Sequence, residues 1–191
     1  GETWTKINDL VPRPFYFGKI RVDPTDEKRL WVLGIPLNVS SDGGRTFRNG
    51  AGRGVHVDHH ALWINPRDPK HLVLGNDGGL YYSRNGGAEW TPIRNLPISQ
   101  FYAVTADRQT PYRVYGGLQD NGSWMGPSRT ANAFGVTNAD WKRIMGMDGF
   151  YCQAPPDDPF TAYAEGQYGR PSRIDLRTMK GTSIRPRVPM G

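Results

Sequence analysis

The chain has a single cysteine, Cys152, so no internal disulfide framework can hold it together. Cys152 lies in an apolar stretch, Phe150-Tyr151-Cys152-Gln153-Ala154, which suits an inert core thiol. No run of about 18 apolar residues occurs, which excludes a membrane-spanning helix. The opening stretch, Gly1 to Asp9, has neither a basic start nor an apolar segment and so carries no signal-peptide pattern. Long helical stretches are also missing, because 24 glycines and 16 prolines interrupt the chain throughout. Strongly one-signed charge is absent as well. The net charge is +6, but the basic residues are scattered through the first 160 positions. Only the tail is denser, with Arg170, Arg173, Arg177, Lys180, Arg185 and Arg187, and this reads as a solvated or subunit-facing edge, not a nucleic-acid site.

What the chain does have is a repeat. Ser40-Ser41-Asp42-Gly43-Gly44-Arg45-Thr46-Phe47 and Ser83-Arg84-Asn85-Gly86-Gly87-Ala88-Glu89-Trp90 share the pattern Ser-x-Asp-x-Gly-x-Thr-Trp, and Gly1-Glu2-Thr3-Trp4 matches its last four positions. The aromatics stand at 4, 47 and 90, a spacing of 43 in each step. A fourth echo, Trp141-Lys142-Arg143-Ile144, comes 51 residues after Trp90, so that unit is enlarged by about eight residues. A second marker, Val22-Asp23-Pro24, Ile64-Asn65-Pro66 and Thr105-Ala106-Asp107, recurs at steps of 42, and Ala154-Pro155-Pro156 follows.

Each unit reads as four short strands. In the second these are roughly His59–Ile64, His71–Gly75, Leu80–Ser83 and Glu89–Ile93. The recurring motif has a physical rationale as an Asp-box hairpin. The Asp or Asn binds turn amides, the glycines take positive φ, and the aromatic plugs between neighbouring sheets. Four-stranded units of 40–45 residues are the propeller signature. The expected fold class is therefore all-β: a partial β-propeller of about four blades, each a four-stranded antiparallel sheet, with Asp-box hairpins. Ser40, Asp42, Gly44, Thr46, Phe47, Ser83, Asn85, Gly87 and Trp90 hold the turns in this reading and catalyse nothing. Residues 1–182 are assigned to the blades and 183–191 to a linker or extended arm. Because Gly1 begins inside a motif, the chain is read as part of a longer polypeptide whose further blades, or neighbouring subunits, cover its open sheet faces.

Four segments carry a family resemblance: His56-Val57-Asp58-His59-His60-Ala61-Leu62-Trp63-Ile64, Gly75-Asn76-Asp77-Gly78-Gly79-Leu80-Tyr81, Gly117-Leu118-Gln119-Asp120-Asn121-Gly122, and Gln167-Tyr168-Gly169 with Ile184-Arg185-Pro186-Arg187. They resemble the sortilin-type and xyloglucanase-type Asp-box (BNR-repeat) propellers, and especially large bacterial proteins labelled glycosyl hydrolase or BNR-repeat protein. The resemblance implies export, to the periplasm or beyond. It also implies a candidate catalytic acid at Asp77, which precedes a Gly-Gly-aromatic turn, with Asp120 in a looser version of the same turn.

In a propeller blade the first strand starts, and the second ends, on the same face. This places His56, Asp58, His60, Asp77, Gln119, Asp120, Asp148, Glu165 and Tyr168 around one mouth. Three chemistries compete for that rim. Glycoside hydrolysis needs paired carboxylates, for which Asp77 and Asp120 are the candidates. Metal binding would draw on His56, Asp58 and His60, which share a face if they alternate on a strand, but no fourth ligand is apparent and no metal is assigned. The third reading is structural, with polar strand ends serving a binding or assembly scaffold in a larger protein or complex. The scaffold reading is preferred and hydrolysis is the alternative. The expected partners are protein or glycan, with no cofactor and no nucleic acid. Trp124, Phe134 and the loop 125–139 are a possible aromatic contact platform. Asn38-Val39-Ser40 and Asn121-Gly122-Ser123 fit glycosylation sequons.

Overall fold

The computed structural model describes residues 1–96 and 98–186, in two compact units that divide at Leu96/Pro97. Arg187 and the rest of the proposed arm beyond 186 lie outside the described residues. Among the described residues there is no α-helix, only a 3-10 turn at Asn138–Asp140. The fold is all-β, built of propeller blades.

The first unit holds two sheets. One contains β1 (Ile20–Asp23), β2 (Asp26–Val32) and β3 (Asn38–Ser40), and the other β4 (His59–Ile64), β5 (Leu72–Asn76), β6 (Gly79–Ser83) and β7 (Thr91–Pro92). The second unit also holds two: β8 (Phe101–Ala106), β9 (Arg113–Leu118), β10 (Gly122–Pro127) and β11 (Lys142–Met145), then β12 (Gly149–Gln153), β13 (Thr161–Gly166), β14 (Arg170–Asp175) and β15 (Lys180–Ser183). In all four, strands adjacent in sequence are adjacent in the sheet and antiparallel, which is the up-and-down meander of a propeller blade.

The first sheet has three strands instead of four. Its fourth position is reduced to one bridge between Val39 and Arg48, because Gly50 and Gly54, both at positive φ, turn the chain away. Trp4 is 90% exposed and lies in no strand. The strand expected at Glu89–Ile93 is only β7, because Asn85 Oδ1 captures the Glu89 amide at 2.9 Å.

The two repeated turns are tied alike. The buried Ser40 hydroxyl accepts the Gly44 amide at 2.9 Å, and Ser83 accepts Gly87 at the same distance. Asp42 accepts the Thr46 amide at 2.9 Å and its hydroxyl at 2.6 Å, while Asn85 accepts only the Glu89 amide. The Thr46 hydroxyl, the Thr46 amide and the Ser40 hydroxyl hold the Asp42 carboxyl well below the usual carboxylate range. The glycines at 43, 44, 86 and 87 all have positive φ, between 69° and 87°. Each turn sets its aromatic against an equivalent leucine: a Cβ at Gly44 would touch Leu30 and Phe47, and one at Gly87 would touch Leu72 and Trp90.

The second marker also has a structural cause. Asp23, Asn65 and Asp107 each accept the amide two residues on, at 2.9, 3.0 and 3.1 Å, and so close the turn between the first and second strands.

Packing between sheets completes each unit. In the first, Trp31, Leu33, Leu37 and Val39 meet Leu62, Ile64, Leu72 and Leu74, with Trp90 at the margin donating to the Ala51 carbonyl at 2.9 Å. In the second, Tyr115, Met125 and Ile144 meet Cys152, Ala162, Ala164 and Ile174. Cys152 is buried, which raises its thiol pKa and keeps it inert. Gly117 has no room for a side chain, since a Cβ there would lie 2.3 Å from the backbone of Gly149 and Phe150. Asp107 gathers the Arg113 amide at 2.8 Å, Arg113 Nε at 2.5 Å and the Tyr115 hydroxyl at 3.1 Å, while Arg113 also reaches the Pro159 carbonyl. Burial alone would raise the Asp107 pKa, but these bonds outweigh it and hold the carboxyl low. The Asn38 sequon is closed, because Asn38 is buried and its amide donates to the Val32 and Pro36 carbonyls.

Two predictions follow from this packing. Replacing Asp107 by Ala strands the Arg113 side chain, and urea denaturation should show a loss of about 3 kcal/mol. His59 is 2% exposed and its Nδ1 has no hydrogen-bond partner. Burial, then the neighbouring His56 and His60, lower its pKa to about 4. The unfolded chain takes up this proton near pH 6.5 and the folded chain does not. The contribution is therefore complete above pH 6.5 and is lost as pH falls toward 4, by about 3 kcal/mol in all. Unfolding free energies at pH 7, 6 and 5 should fall in the wild type and fall less in His59→Leu.

Candidate functional site

The strand ends predicted to form a rim are set by bulges. The pairing register slips between His59 and Ala61 in β4, between Phe101 and Ala103 in β8, and between Gly149 and Cys152 in β12. His60 and Tyr102, and the Phe150-Tyr151 pair, are thus the extra residues at the start of each innermost strand. A bulge re-aims such side chains away from the regular alternation. Hairpin turns that end at the same edge carry further unusual backbone, with positive φ at Asp120 (60°) and Tyr168 (63°).

In the first unit the rim is a set of turns locked to one another. His60 Nε2 pairs with Asp77 Oδ1 at 2.9 Å. The Tyr16 ring meets His60 edge-on at 5.2 Å, Phe17 lies at the same distance, and Lys19 Nζ donates to the His60 carbonyl at 2.8 Å. Asn76 donates to the His56 carbonyl at 2.9 Å, and the His56 amide donates to the Tyr81 hydroxyl at 3.3 Å. A side chain at Gly78 would collide with His56, so this turn requires glycine there.

The alternation expected for His56, Asp58 and His60 does not hold. β4 begins only at His59, and Asp58 has φ of 61°, which breaks the extended backbone that would align the three. They do not gather as a metal-ligand set.

In the second unit Asp148 is the organising group. It accepts the Asp120 amide at 2.7 Å and the Gln167 side-chain amide on its other oxygen. Tyr102 stacks on Phe150, with ring centroids 5.3 Å apart and planes 12° from parallel. Desolvation, then the charges of Asp148 and Asp120, raise the Tyr102 phenol pKa, so the phenol stays neutral and able to donate. Tyr168 is 76% exposed, and the Arg170 guanidinium lies 5.7 Å from its ring centre and bonds Met147 sulfur. The exposed Gln119 accepts the Asn121 amide through its carbonyl. Glu165 stands half-buried on β13, opposite Pro171, outside the hydrogen bonds around Asp148.

Asp148, Asp120 and Gln167 therefore come together with Tyr102 and Phe150, and His60 with Asp77. Tyr102, Phe150, Gln167 and Tyr16 were not among the sequence candidates. Tyr102 and Phe150 could have been found from their place at the start of an innermost strand, where His60 stands in the preceding sheet.

No family model matches the chain, and no curated protein matches it. Several solved structures resemble it loosely. A GH74 enzyme of Niastella koreensis is 18% identical, with 90% of this chain and 30% of that one covered and a TM-score of 0.35. The GH74 xyloglucanase of Xanthomonas campestris is 15% identical, with 88% and 30% covered and a TM-score of 0.37. YCF48 bound to a D1 peptide is 10% identical, with 81% and 50% covered and a TM-score of 0.32. The chain thus spans less than a third of the length of the GH74 structures. Superpositions this loose carry no weight for chemistry. The class of the protein rests on its sheets, which are those of a β-propeller.

Replacing Asp148 by Ala should release the 119–122 turn. Hydrogen exchange at the Asp120 amide should speed up well beyond that of β9, while β9 itself stays protected.

Proposed function

We propose that the chain is a non-catalytic propeller module that acts as a binding or assembly scaffold within a larger protein or complex. The observation that carries this reading is the use of the rim carboxylates as structural ties. Asp77 is paired with His60, and both oxygens of Asp148 are engaged, by the Asp120 amide and by Gln167. A hydrolytic acid or base must instead offer its carboxyl to substrate and move a proton. Polar groups spent on fixing turns suit a surface held rigid for recognition. Tyr168 supplies an exposed aromatic contact on that surface.

The same reading takes the two serine-tied turns as Asp boxes of the sortilin-type and xyloglucanase-type superfamily, supported by their matching Ser40 and Ser83 hydrogen bonds. The partners in this reading are further blades of the same polypeptide, neighbouring subunits or a glycan, in an exported protein. Gln119, Glu165, Asp58 and His56 belong to the recognition rim.

The alternative, a glycoside hydrolase acting through Asp77 and Asp120, is tested by reducing-sugar release from xyloglucan and mixed β-glucans. The full-length protein should release no more sugar than its Asp77→Asn/Asp120→Asn double variant. Release that the double variant abolishes would overturn the scaffold reading.

A further inference from the structure

The connection from β10 to β11 is longer than the repeat needs, since Trp141 follows Trp90 by 51 residues where the preceding aromatics are 43 apart. The surplus is tightly organised. Thr130 Oγ1 donates to the Gly135 carbonyl at 3.0 Å and accepts the Asn132 amide at 3.3 Å. The Asn132 side chain accepts the Phe134 amide at 3.0 Å, and its carbonyl accepts the Gly135 amide at 2.9 Å. Gly135 takes φ of 75°, and Thr137 with Asp140 then caps the 3-10 turn. This β-turn fixes Phe134 at its third position, and the Phe134 side chain is 90% exposed.

Trp124, the other aromatic of the connection, is half-buried and donates to the Asn121 carbonyl at 2.7 Å, so the two aromatics play different parts. At the base of the turn, where the Ser128 amide donates to the Tyr112 carbonyl, a groove of about 390 Å³ runs along Pro111, Tyr112 and Arg129. The turn spends its polar groups on holding one aromatic ring in water. Such a ring gains nothing for the fold and much for an interface, where a rigid aromatic anchor loses little entropy on docking.

We propose that this turn is a docking knob whose Phe134 ring enters an apolar pocket on a partner protein, with Arg129 meeting an acidic rim. The chain's charge of +6 favours an acidic partner and disfavours a second copy. The turn has one aromatic and no Lys or Arg between Thr130 and Asp140, which does not suit a membrane surface. The proposal rests on the scaffold reading, which requires a protein partner, but it places the contact on a different surface.

The test is photo-crosslinking of the full-length protein in its own host, with benzoylphenylalanine at position 134 and, separately, at position 168. The expected result is an adduct from 134 to one protein, mapped to an apolar segment flanked by Asp or Glu, and reduced several-fold by Arg129→Glu. Adducts to lipid, to another copy of this chain, to many proteins, or to one protein regardless of Arg129→Glu would overturn the proposal. An adduct from 168 with none from 134 would sink the knob and leave the scaffold standing, while no adduct from either would sink both. Phe134→Ser should leave Tm unchanged. A fall in Tm would mean that the ring packs within the protein, and would also overturn the proposal.

Discussion

A sheet of three or four strands with apolar side chains on both faces is stable only when both faces are covered. That constraint organises this chain. In the first unit Trp31 and Val39 on one sheet meet Leu72 and Leu74 on the next, and in the second Tyr115 and Met125 meet Cys152 and Ile174. Sheets can approach this closely only where the turns aim their side chains correctly. The Ser40 and Ser83 hydroxyls, each holding a glycine amide four residues on, set Phe47 and Trp90 against Leu30 and Leu72. Where backbone meets backbone, as at Gly117 against Gly149 and Phe150, only glycine fits.

Covering both faces leaves the strand ends as the place where function can vary. At one end of the innermost strands, bulges release His60, Tyr102, Phe150 and Tyr151 from the pairing pattern. The neighbouring hairpins supply Asp77, Asp120 and Gln167. These groups are bonded largely to one another, which gives a stiff polar surface. Stiffness lowers the entropy lost on binding. It also removes the freedom that a carboxyl needs to shuttle protons.

The sequence was most informative where local chemistry repeats. The positions of the second unit's strands, its turns and the blade count follow from the serines, glycines and aromatics at a spacing of 43, because each such turn is closed by residues within eight positions of one another. The shortening of the first sheet's fourth strand was hidden, although Gly50 and Gly54 mark it in hindsight. The rim was legible only in part. Asp77 and Asp120 were placed at strand ends by counting, but their partners His60 and Asp148 depend on bulges, and a bulge has no sequence signature as plain as a turn. The presumed alternation of His56, Asp58 and His60 failed for the same reason, since positive φ at an aspartate cannot be read from neighbouring residues. The Phe134 connection was visible as an excess of residues, but its exposure was not.

The central claim is that successive segments build equivalent sheets, with equivalent side-chain contacts at equivalent turns. Through-space proton NMR contacts from the two turn glycines test it most directly. The Hα protons of Gly44 should show cross-peaks to the Phe47 ring and the Leu30 methyls, and those of Gly87 the matching pair to the Trp90 ring and the Leu72 methyls. Finding one pair without the other, or either aromatic beside unrelated residues, would contradict the account.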